Sequence, residues 1–102
     1  MFVIMNHSSD MEVGIINSVW INPQAYTTLD AAKKAAASLL REFRGDKSKR
    51  EGVIEFTAED SELNEIPNAD FESCLYCVGE TMEGDFNLYH NAYLVCSVDV
   101  AE

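Results

Sequence analysis

The feature that most restricts the fold is the alternation of residues 86 to 100. Phe86, Leu88, Ala92, Leu94, Cys96, Val98 and Val100 fall on one side of an extended chain, and Asn87, Tyr89, Asn91, Tyr93, Val95, Ser97 and Asp99 on the other. A period of two belongs to a strand, and a helix cannot sort its side chains that way. Glu83-Gly84-Asp85 supplies turn chemistry ahead of it, and Phe71 to Glu80 reads as its hairpin partner. A loop with an even number of residues pairs odd positions with even ones. Phe71, Leu75 and Cys77 then join the Leu94 side, which is expected to be the core face. Glu72, Cys74, Tyr76, Val78 and Glu80 join Tyr89 and Tyr93 on the outer face, whereas an odd-length loop would reverse the first strand.

A long hairpin needs more sheet and a second layer, and the earlier residues provide both. Met1 to His7 and Val13 to Asn22 read as two strands around the turn-forming Ser8-Ser9-Asp10, with Pro23 closing the second. Thr27 is expected to cap a helix over residues 28–44, with Asp30 three residues on. Leu29, Ala32, Ala36, Leu39, Leu40 and Phe43 recur at helical spacing, and Gly45 stands where a C′ residue belongs. Val53 to Thr57 forms a short strand with Ile54 and Phe56 on one face. Residues 59–70 form a long acidic connection of the kind that is often functional. The expected fold is a single α+β domain over residues 1–102. It is an antiparallel sheet of about five strands in the order ββαβββ, with one helix packed on one face.

With 102 residues, 47% of them hydrophobic and 25% charged, the chain can build one core and is not disordered. No apolar run approaches the ~20 residues of a membrane span. The start, Met1-Phe2-Val3-Ile4-Met5-Asn6, has no signal-peptide pattern. Three cysteines do not make a disulfide scaffold, so a cytoplasmic thiol protein is expected, in the host cytoplasm if the chain is phage-encoded.

The charges are segregated. All seven basic residues (Lys33, Lys34, Arg41, Arg44, Lys47, Lys49 and Arg50) lie between positions 33 and 50, while the whole chain carries a net charge of -11. From Glu51 to Glu102 there are 13 acids and no base. Solubility alone favours an acidic surface. Segregation points further, to steering of a positively charged partner. It argues against direct nucleic-acid binding by the acidic half, because phosphate contacts need Lys and Arg.

Motifs for chemistry are few. Cys74-x2-Cys77, followed by His90 and Cys96, has the outline of a zinc ligand series. In a strand, however, His90 and Cys96 stand about 20 Å apart, far beyond the ~4 Å between ligand atoms of one zinc ion. A thioredoxin-type role fails because that motif opens a helix. Residues 59–70 lack the EF-hand order for calcium. Arg44-Gly45-Asp46 is a chance tripeptide. His7 and His90 read as core or edge residues, and no nucleophile elbow or phosphate loop occurs. No enzymatic activity, metal or cofactor is expected.

What remains is binding. The expected contact residues are the acids Glu55, Glu59, Asp60, Glu62, Glu65, Asp70 and Glu72, with Tyr76, Tyr89 and Tyr93 as apolar anchors of a type common at interfaces. In size, acidity and lack of catalytic residues the chain resembles the small inhibitors carried by phages and by toxin-immunity systems, a likeness of type that rests on no motif. It implies a non-enzymatic protein that occludes a basic, nucleic-acid-binding surface of a target such as a nuclease, as anti-CRISPR and DNA-mimic proteins do. The alternative is a small homodimeric structural or accessory protein whose uncovered sheet face is its self-interface.

Overall fold

The alternating C-terminal segment forms the centre of the fold. The computed structural model describes residues 1–10, 16–44, 52–65, 73–82 and 85–99, of which 9, 10, 16–21, 44, 65 and 85–90 are described by their backbone alone. The strands are β1 (Phe2–Asp10), β2 (Ile16–Tyr26), β3 (Val53–Glu59), β4 (Cys74–Met82) and β5 (Asp85–Ser97), and the helix is α1 (Leu29–Arg44). The sheet order is β2-β1-β5-β4-β3 and every pairing is antiparallel, a small single-domain α+β fold as the patterning predicts. The last strand is central because both its faces carry apolar side chains, so both can be covered. The N-terminal strand lies against it, and Met1 C=O accepts a 2.9 Å hydrogen bond from Val98 N–H where the two strands end.

Each face of the sheet has its own core. On one, α1 covers Ile4, Val78, Tyr93 and Val95 with its buried Ala32, Ala36 and Leu40. On the other, Cys74, Cys77, Ala92, Leu94 and Cys96 pack with Ala58 and Leu63. The expected roles of the two faces are therefore corrected. The Tyr93 side, taken as outer, is the one the helix covers, while the Leu94 side packs without it. Size complementarity explains the choice. Methyl-sized Ala32 and Ala36 let α1 settle over the bulky rings of Tyr76 and Tyr93, filling space that larger helix residues would contest.

Several boundaries shift for local reasons. Pro23 does not end β2, which continues to Tyr26. Between Val3 opposite Ala25 and Met5 opposite Ile21 the ladder is irregular, and the extra residues include Pro23. Gln24 N–H donates to Asn22 Oδ1 at 3.3 Å inside this bulge. A proline without an N–H is tolerated there because β2 is an edge strand. The cap of α1 is Thr28 rather than Thr27: its Oγ1 accepts from Ala31 N–H at 3.2 Å, and its C=O takes the first helical bond, from Ala32. Phe43, expected in the core, is 40% exposed. The acidic connection after β3 contains a 3-10 turn over Leu63–Glu65 whose Leu63 is buried, and its residues 66–70 lie outside the described residues. Gly45 and the connections at residues 11–15 and 83–84 lie outside the described residues.

The β4–β5 register has the expected parity from Tyr76 to Thr81 and then slips. Tyr76 pairs with Val95 but Cys74 with Cys96, so Leu75 is an extra residue in the ladder. One inserted residue flips everything beyond it to the other face. Cys74, expected beside Tyr76, instead stands with Cys77 and Cys96. Leu75, expected in the core face, is the half-buried bulge residue itself.

Candidate functional site

The predicted contact residues divide into three groups. Glu55, Glu59, Asp60 and Glu62 are all exposed, along β3 and in the turn that follows it. Tyr76 and Tyr93 are in the sheet beneath or beside α1. Glu65 and Tyr89 are placed by backbone alone, Glu65 in the 3-10 turn and Tyr89 opposite Asp10 in β5, while Asp70 and Glu72 lie outside the described residues.

The acidic edge is built by β3, which ends the sheet. Glu55 stands opposite Glu80 and Glu59 opposite Tyr76, both on the α1 side of β4. At the end of the strand the chain turns sharply: Glu62 N–H donates to Glu59 C=O at 2.7 Å, and Glu62 Oε2 accepts from Glu59 N–H at 3.2 Å. That pair of bonds holds Asp60 at the turn's outer corner and presents Asp60 and Glu62 to solvent.

The carboxylates are not wholly uncompensated, as their position in the chain suggested. Lys33 on α1 crosses to Glu59 with a 2.7 Å ion pair, and its ammonium lies 5.0 Å from the centre of the Tyr76 ring. The hydrogen bond to Glu59 holds the Lys33 ammonium above its ordinary range against a smaller effect of desolvation. Burial raises the Tyr76 hydroxyl, with Lys33 pulling the other way. Both partners of the pair remain in contact with water, so this is a modest clasp between helix and edge strand.

Tyr93 is only 7% exposed and lies under the helix, so it cannot act as a surface anchor as expected. Tyr76 is half-buried by the same layer. Glu80, placed on the outer face by its alternation, is completely buried, and its cross-strand neighbour Asn91 is 2% exposed. Asn91 Oδ1 accepts from Asn6 Nδ2 at 2.8 Å, and the same amide donates to Ala92 C=O at 3.2 Å. This buried polar row across β1, β5 and β4 was missed. The predicted parity allows Glu80 and Asn91 to share a face, but the register shift between Thr81 and Met82 that sets them on one rung left no signal in the sequence.

The three cysteines are free and buried. Among the described residues no group of three or more His, Cys, Asp or Glu side chains is placed to hold a metal, and no helix is long and apolar enough to cross a membrane. Compared with protein-family models, curated proteins and solved structures, the chain matches none.

Proposed function

We propose that this chain is a non-enzymatic acidic binding protein that occludes a basic, nucleic-acid-binding surface of a target protein in the cytoplasm, with the β3 edge as its contact. The supporting observation is the exposure of Glu55, Glu59, Asp60 and Glu62 along one edge strand and its following turn. Clustered carboxylates on a rigid edge project a negative field that speeds encounter with a cationic surface and disfavours anionic ones. Ile54, 48% exposed on the same strand, offers the apolar contact that Tyr93 cannot.

The homodimer reading is less well supported. The sheet face it needs is the one α1 leaves uncovered, and there Cys74, Cys77, Ala92, Leu94 and Cys96 are already buried within the single chain. Pairing of two β3 edges would bring Glu55 and Glu59 of both copies together, and opposed like charges destabilise such a ladder.

The test starts from a partner captured from host lysate and eluted by salt, then measured by surface plasmon resonance. Glu55→Gln, Asp60→Asn and Glu62→Gln together should lower the association rate by about tenfold at low salt, with the two proteins converging as salt rises. Glu59 is kept, because it holds Lys33. Equal association rates at every salt concentration would refute the charge mechanism.

A further inference from the structure

We propose that Cys74 and Cys96 form a cross-strand dithiol, a modification site that closes to a disulfide by exchange with a small disulfide such as oxidised glutathione. The proposal is independent of the partner reading above. It rests first on register. The bulge at Leu75 brings Cys74 directly opposite Cys96, on the same side of the sheet. Ser97 N–H donates to Ser73 C=O at 3.0 Å, which makes the rung beyond the cysteines the hydrogen-bonded one. The cysteines therefore occupy a non-hydrogen-bonded pair, where opposed Cα atoms are about 4.5 Å apart and side chains approach most closely. That spacing falls within the range of about 4.4–6.8 Å that a disulfide spans.

Chemistry and position agree with the register. The interaction between the two thiols raises Cys74 and lowers Cys96 from their ordinary values, although burial opposes the second shift, and Cys74 Sγ donates to Tyr76 C=O at 3.3 Å. Cys96 is thus the better nucleophile. Cys96 Sγ also lies 3.9 Å from the Met5 thioether, a soft contact that leaves its own proton uncommitted to any strong acceptor. Cys77 is on the same face but is completely buried and pushed up to about 12, mainly by burial, so it stays a thiol. The pair sits at the end of the ladder: Cys74 opens β4, and Ser97 and Val98 beyond Cys96 are exposed. Ser73, immediately before it, holds a left-handed φ of 65° that an L-residue adopts at a cost. Fraying of a strained strand end needs less energy than global opening, and it gives a reagent access.

The exchange balances in two steps. Cys96 thiolate attacks one sulfur of oxidised glutathione, the S–S bond breaks, and one glutathione thiolate leaves. Cys74 then loses its proton to water and attacks the Cys96 sulfur, releasing the second glutathione thiolate. Two electrons pass from the protein thiols to glutathione, and the protein loses two hydrogens.

The experiment equilibrates the reduced full chain with mixtures of reduced and oxidised glutathione, followed by alkylation and intact mass spectrometry. Because burial can slow the first step, a parallel sample is equilibrated in mild urea and then returned to buffer. Wild type and Cys77→Ser should each lose two alkylatable thiols, with a 74–96 link in the unreduced digest. Cys74→Ser and Cys96→Ser should form no internal disulfide. The oxidised protein should refold and melt about 5 °C or more above the reduced one, because a closed 23-residue span constrains the unfolded chain. Persistent thiols in Cys77→Ser under both conditions, a stable glutathione adduct alone, a 74–77 link or a lowered melting temperature would each overturn the proposal.

Discussion

A methyl group has no room at position 79. A Cβ there would lie 2.5 Å from the Asn91 carbonyl oxygen and 2.9 Å from the Phe56 ring, so the ring packs over bare backbone. Two residues away, Cys77 is held just as tightly, and its burial makes stability sensitive to alkaline pH. Its thiol is raised from 9.0 to about 12, chiefly by desolvation and next by the nearby Cys96. In the unfolded chain the thiol ionises near 9, whereas in the folded protein it stays protonated until about 12. The unfolded state therefore binds fewer protons in that window, and stability falls as pH rises through it. Below pH 9 the contribution is complete, and across the whole window the loss approaches about 4 kcal/mol. Urea titrations of wild type and Cys77→Ala under reducing conditions, from pH 7 to 11, should show the wild type losing stability more steeply above pH 9. Parallel curves would mean that Cys77 ionises in the folded state as easily as in the unfolded one.

At the scale of elements, α1 binds the sheet through one narrow stripe. Ala32, Ala36 and Leu40 are at most 1% exposed, while Phe43 is 40% exposed. Leu40→Ala should cost about 2–5 kcal/mol through the cavity it leaves. Phe43→Ala should cost clearly less, because much of its ring already meets water. Equal costs in urea denaturation would place the helix at a different rotation. The sequence pattern identified this helix, because a 3.6 period needs only local information. The odd-with-even parity expected of an even loop holds from Tyr76 to Thr81, but the register itself was not legible, because the ladder shifts between Met82 opposite Asp85 and Thr81 opposite His90. The pattern did not show which face the helix covers. Ala92, Leu94 and Cys96 are as apolar as Tyr93 and Val95, so alternation cannot rank the two faces, and only the fit of small alanines against large rings separates them. The Leu75 bulge left no mark either, because an inserted leucine reads as one more apolar residue. Both failures concern tertiary packing, and both moved the candidate site. Tyr93 went from the surface to the core, and Cys74 went from beside Tyr76 to opposite Cys96.

For the whole molecule the deciding quantity is the net charge of -11. The acids on β3 and its turn were legible in the sequence, but their relation to the basic helix was not. Lys33 and Glu59 are 26 positions apart and meet only because the sheet brings β3 to the flank of α1. One solvent-exposed ion pair of this kind contributes little to stability. Repulsion among the remaining carboxylates acts over a Debye length near 8 Å at physiological ionic strength and is therefore strongly screened by added salt. Salt should consequently move two properties in opposite directions. Thermal stability should rise between 20 mM and 500 mM sodium chloride, because screening relieves self-repulsion in the folded state. Association with a basic partner should slow over the same range, because screening removes the steering field. The Glu55→Gln, Asp60→Asn, Glu62→Gln protein should show a flatter salt dependence of both. The measurement is circular-dichroism melting beside the binding series in matched buffers. A melting temperature that falls with salt would mean that attractive pairs such as Lys33–Glu59 outweigh the repulsion, and the acidic edge would then be a stabilising feature rather than a strained surface held for a partner.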